Sequence, residues 1–116
     1  MRVLLVDDDV FILRALGRSL RGLHAVTTAI SASEAFALLA ARAFDVILCD
    51  LNMPGMGGAE FVNRLAPHNA AHVIFMTGDD PEYGVAPLGP TLRKPFTKSE
   101  MLAAIDAVIS APPAAA

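Results

Sequence analysis

The chain has 116 residues, 54% of them hydrophobic and 18% charged, with a formal net charge of −3 at pH 7. That length holds one domain and leaves no room for a second, and the apolar content excludes disorder of the whole chain. Its nine basic residues are scattered rather than gathered into a run, so direct binding to nucleic acid is not expected.

The first strand is predicted at Val3–Val6, a near-continuous apolar run of the kind found in strands buried on both faces. Asp7, Asp8 and Asp9 follow it at once and interrupt the N-terminal apolar run, so a signal peptide is not read here. Leu13, Leu16, Leu20 and Leu23 recur at steps of three and four and predict an amphipathic helix. A weaker strand is predicted at Ala25–Ala29. Ser31 and Glu34 stand at capping-box spacing and open a helix to about Arg42. The apolar run Val46–Cys49 predicts a central strand. Its lone Cys49 has no partner for an intrachain disulfide, which fits a reducing compartment, and reads as a buried, inert thiol. A shorter helix is expected from Gly58 to about Leu65, ended by Pro67, and then a strand at Val73–Met76. After a short fifth strand before Lys94, Thr97 and Glu100 form a second capping box. Met101, Ile105, Val108 and Ile109 line one face of the last helix. Residues 1–110 are read as the domain and 111–116, rich in Ala and Pro, as a disordered tail or linker stub. No apolar stretch reaches the roughly 20 residues needed to span a bilayer, so a soluble cytoplasmic protein without membrane contact is expected.

Strand and helix alternate throughout, which predicts an α/β domain: a parallel sheet covered by helices on both sides. Function in such sheets gathers beyond the carboxyl ends of the strands. Those ends here carry Asp7 and Asp8 after the first strand, Asp50 after the third, Thr77 after the fourth and Lys94 after the fifth. Crowded carboxylates raise one another's pKa or demand a cation, and oxygen donors of this kind favour a hard divalent ion such as Mg²⁺. A lysine and a hydroxyl at the same edge suit the charge neutralisation and positioning that phosphoryl transfer requires. Aspartate is an established phosphoryl-accepting nucleophile. Taken singly, an Asp after a strand is more often a helix cap or turn residue, a role for which Asp9 is a candidate. It is the combination at four strand ends that carries the argument.

The stretches LLVDDD, DLNMPGMGG, VIFMTG and KPF resemble, in order, the four marks of the response-regulator receiver domain, over Arg2 to about Ser110. The resemblance implies a flavodoxin-like doubly wound sheet of five parallel strands in the order 2-1-3-4-5. It implies phosphorylation of Asp50 by a histidine kinase or a histidine phosphotransfer protein. Mg²⁺ would be held by Asp8, Asp50 and the main-chain carbonyl of Asn52, with Asp7 acting through water. Thr77 would be the switch hydroxyl and Lys94 the cation that pairs with phosphate, followed by a cis Lys94–Pro95 bond. Pro54, Gly55, Gly57 and Gly58 would shape the loop over the site, with Met53 and Phe96 as packing residues. Asn52 and Asp79 match positions that tune the lifetime of the phosphoryl group. Kinase contacts would fall on Phe11, Arg14, Ala15 and Arg18. Such a domain is not an enzyme beyond its own phosphorylation and dephosphorylation.

The resemblance has gaps. The stretch between Thr77 and Lys94 is short and holds Pro81, Pro87 and Pro90, each costing a helix interior about 3 kcal/mol. The fourth helix, between the fourth and fifth strands, is therefore expected to be shortened or missing. Thr91 stands where the family carries an aromatic, and Gly57 where it often carries an acidic residue. These departures favour a monomer that acts as a phosphorelay or phosphate-sink receiver, in a hybrid kinase or a single-domain regulator. Two other readings remain open: a receiver-like interaction module independent of phosphorylation, and a metal-dependent phosphohydrolase. The latter usually needs a second carboxylate two residues after the nucleophile, where Asn52 stands.

Overall fold

The computed structural model describes residues 1–65, 71–78 and 90–110. Its elements run β1 Arg2–Val6, α1 Val10–Leu20, β2 Ala25–Ala29, α2 Ala32–Ala41, β3 Val46–Asp50, α3 Gly58–Leu65, β4 His72–Thr77, β5 Thr91–Arg93 and α4 Lys98–Ser110. The strands form one parallel sheet in the order β2-β1-β3-β4-β5, the order the receiver resemblance implied. The expectations for the helix between β4 and β5, for Asp79, for Pro67 and for the tail fall on residues outside the described ones.

Side chains on successive strand residues point to opposite faces, and this divides the core in two. Val3, Leu5, Val46, Leu48, Ile74 and Met76 pack beneath α1 and α4, against Leu13, Leu20, Met101, Ile105 and Val108. Leu4, Val6, Ile47 and Cys49 face the other way, against Ala32 and Ala35 of α2 and Phe61 of α3. Because both faces are covered, β1 and β3 have no polar face, which explains their unbroken apolar runs. Fully buried Phe61 meets Phe36 of α2 with ring centroids 4.9 Å apart and planes tilted by 48°, an arrangement aromatic quadrupoles favour.

Helix ends follow local chemistry. Asp9 caps α1, its Oδ1 accepting from the N–H groups of Phe11 at 2.9 Å and Ile12 at 3.3 Å. Thr97 and Glu100 exchange reciprocal side-chain to main-chain bonds, each of 3.0 Å, so the box that opens α4 is complete. At Ser31 the hydroxyl accepts from the Glu34 N–H at 3.1 Å. One expectation is corrected. The apolar stripe of α1 ends at Leu20 and does not continue to Leu23, which is 55% exposed. The chain leaves the helix at Arg21, whose ψ is 133°, and turns through Gly22 at φ 87°, a left-handed conformation open to glycine. The Leu23 and His24 N–H groups then both donate to the Leu20 carbonyl at 3.0 Å.

Candidate functional site

Strand register assembles the site. Val6 lies opposite Cys49 and Asp50 opposite Met76, while Thr77 lies opposite Arg93. One residue further along, β1 delivers Asp7 and β5 delivers Lys94, whose N–H donates to the Thr77 carbonyl at 2.7 Å. Four neighbouring strands thus end at the same level, and their last polar residues converge there.

Burial marks the same residues independently. Among the described residues the buried polar or charged ones are Asp7 (0% exposed), Asp50 (4%) and Thr77 (8%). Burying carboxylates is costly unless they are paired, and the structure pairs them through one cation. Lys94 Nζ donates to Asp7 Oδ2 at 2.7 Å and lies 3.5 Å from Asp50 Oδ1. The other Asp7 oxygen accepts from the Asp9 N–H at 2.9 Å, and Asp50 Oδ1 accepts from the Asn52 N–H at 3.3 Å. Asp7 is therefore committed on both oxygens. Asp8, on the solvent side, is exposed.

One ammonium does not balance the two buried carboxylates and Asp8. Burial, followed by the charge of Asp7, pushes the Asp50 carboxyl up from 3.8 to about 6; Lys94 and the Asn52 N–H pull against this. Burial draws the Lys94 ammonium down, but the bond to Asp7 and the charges of Asp50 and Asp7 outweigh it, leaving the net shift upward. Oxygens of Asp7, Asp8 and Asp50 lie within 4.8 Å of one another. Hard oxygen donors, crowded and short of positive charge, fit a divalent cation, so these three residues could hold a metal ion.

The loop after β3 is shaped by close approach. A Cβ on Gly57 would stand 3.1 Å from the Leu51 carbonyl oxygen, and Gly55 has φ 81°. Met53 is buried among the residues under α2 and α3, and Phe96 packs against the opposite core, so both are packing residues as expected. The Lys94–Pro95 bond is cis. Cys49 is buried beside the site, where burial and the charges of Asp50 and Asp7 push its thiol up to about 12, leaving it an unreactive thiol at neutral pH.

The other proposed contacts are on α1, which Asp9 caps directly after Asp7 and Asp8. Phe11 is 79% exposed, and Arg14, Ala15 and Arg18 are exposed too. The helix turns them in different directions: Arg14 and Arg18 border a groove between α1 and β2, whereas Phe11 and Ala15 do not line it. Reading by residue type overlooked Arg21 and His24, which line that groove as well. The repeat of Arg14, Arg18 and Arg21 on one helical face was the available signal. The sequence brings Asp7 and Lys94 to the same edge, but which carboxylate the lysine pairs with is set by packing: Asp7, at 2.7 Å.

Residues 3–106 match the family model of the response regulator receiver domain. The transcriptional regulatory protein PrrA of Mycobacterium tuberculosis is 35% identical, over 93% of this chain and 49% of its own length. Among solved structures, the chemotaxis response regulator CheY4 of Vibrio cholerae superposes with a TM-score of 0.82 at 30% identity, covering 92% of this chain and 97% of that one. A response regulator receiver protein from Burkholderia phymatum gives a TM-score of 0.81 at 34% identity, covering 97% of each chain. The chain spans about half the length of PrrA. Among the described residues, no helix is long and apolar enough to cross a membrane.

Proposed function

The chain belongs to the response regulator receiver family, and from that premise we propose that it is a phosphoacceptor in two-component signalling, with Asp50 as the acceptor. The supporting observation is the buried carboxylate of Asp50, crowded by Asp7 and Asp8 and facing a single lysine. An Asp50 oxygen forms the new bond to phosphorus as the bond from phosphorus to a donor histidine nitrogen breaks. The donor is a histidine kinase or a histidine phosphotransfer protein. Asp7, Asp8 and Asp50, with the carbonyl of Asn52, would hold Mg²⁺, which when bound supplies positive charge for the phosphoryl oxygens.

The residues of the chain supply the rest. Lys94 already rests between Asp7 and Asp50, and a small swing of its flexible stem would take the ammonium to a phosphoryl oxygen. Thr77, buried at the end of β4, brings a hydroxyl to the same edge. Because Lys94 is held on Asp7 while Asp50 is unmodified, phosphorylation exchanges one ion pair for another and leaves no cation stranded. That exchange couples the acceptor to β5 and to α4, which begins four residues beyond the lysine.

The test is incubation with Mg²⁺ and acetyl phosphate, followed by intact-mass measurement. A labile gain of one phosphoryl group that disappears in Asp50→Asn is the expected result. No adduct under these conditions would support the phosphorylation-independent interaction module instead. Sustained turnover of many phosphate esters would indicate a phosphohydrolase.

A further inference from the structure

On the edge of the sheet away from β5, α1 and β2 border an open groove. Arg14 and Arg18 of α1, Arg21 at its end, His24, Thr28 and Ile30 are among the residues that line it. The chain carries a net charge of −3, yet this groove presents three guanidinium groups, and none of them has an ion pair among the described residues. His24 Nδ1 is buried and has no hydrogen-bond partner there either. Among the described residues β2 is an edge strand paired with β1 alone, and the other side of its backbone is where a further strand could pair.

Gly17 lines the same groove, and a Cβ placed on it would meet nothing within 4 Å. Its backbone does not require glycine, since its φ lies outside the left-handed region. Glycine inside a helix is unfavourable relative to alanine. Here the missing side chain is what leaves room in the groove.

We propose that this groove docks an extended acidic segment of a partner protein, laid along β2 with alternate carboxylates on Arg14, Arg18 and Arg21. The spacing supports the register. Along a helix rising about 1.5 Å per residue the arginines stand about 6 Å and about 4.5 Å apart, and alternate residues of an extended chain stand about 6.6 Å apart. Long arginine side chains absorb the difference. Main-chain bonding to an open sheet edge supplies affinity in such complexes, and alternate side chains supply selectivity. Carboxylates meeting guanidinium forks provide that selectivity here. This docking site is separate from Asp50 and does not depend on its phosphorylation.

The probe is a fluorescein-labelled octapeptide alternating Glu and Val, with a Lys/Val octapeptide as control. Binding is followed by fluorescence anisotropy at low and physiological salt and mapped by amide NMR shifts. The Glu/Val peptide is expected to bind, with shifts concentrated in residues 10–30, while the Lys/Val peptide does not. Arg21→Glu should weaken binding by about tenfold or more. Gly17→Leu, which fills the groove without altering charge, should weaken it comparably, and thermal melting should show both variants folded. Shifts that fall elsewhere, or binding that survives Gly17→Leu, would overturn the proposal. So would displacement of the peptide by millimolar inorganic phosphate, which would make the groove a site for small anions.

Discussion

Replacing Asp50 by Asn removes a charge that the fold holds at a cost, so the variant should be the more stable protein when metal is absent. The rise of the Asp50 carboxyl from 3.8 to about 6 corresponds to about 3 kcal/mol at ~1.4 kcal/mol per pKa unit. Solvent reaching the site past the exposed Asp8 screens this to about 1–2 kcal/mol. For an acid whose pKa is raised on folding, the native state binds the extra proton. Below 3.8 both states are protonated and there is no penalty. Between 3.8 and about 6 the penalty grows as pH rises, and above about 6 it is complete. The assay is thermal melting of wild type and Asp50→Asn in EDTA, in steps from pH 4 to pH 8. At pH 7.5 the variant should melt higher by about 4–8 °C, taking roughly 4 °C per kcal/mol for a domain of this size. The gap should narrow through pH 6 and close near pH 4. Added Mg²⁺ should raise the melting temperature of wild type more than that of the variant, since it binds the folded carboxylates. Equal melting temperatures at pH 7.5, or a gap unchanged between pH 8 and pH 4, would refute the claim that buried charge crowding sets the state of Asp50.

Lys94→Met leaves Asp7 buried without its cation and should cost about 3 kcal/mol in urea unfolding. Adding Asp7→Asn should recover more than half of that, and a full loss in the double variant would show that the two residues are not coupled. Thr97→Ala removes the hydroxyl that caps α4 and should cost about 1 kcal/mol, read as a shift in the urea midpoint at unchanged slope. Phe61→Ala opens a cavity between α2, α3 and the sheet and should cost about 3–5 kcal/mol. A loss below about 1 kcal/mol there would mean that the contact with Phe36 is not a firm part of the core.

Elements whose cause is local were legible in the sequence. Ser31 and Thr97 open helices because a hydroxyl meets an N–H three residues on, and Asp9 caps α1 in a similar way. The runs Val3–Val6 and Val46–Cys49 read as strands because the sheet is covered on both faces. The extension of α1 to Leu23 went wrong for a local reason as well. The leucine period continues past the point where Arg21 and Gly22 turn the chain out of the helix.

The sequence by itself determined the fold class, the strand-end positions of Asp7, Asp8, Asp50, Thr77 and Lys94, and the chemistry those groups could share. Hydrophobic period and side-chain type are carried residue by residue, and they need no partner to be read. Tertiary structure alone decided that Asp7, rather than Asp50, is the closer partner of Lys94 at 2.7 Å. It alone also brought Arg14, Arg18 and Arg21 into one groove with Val26 and Thr28 of β2. Both depend on strand register and helix azimuth, which arise only when separate segments pack and their distances are set by every side chain between them.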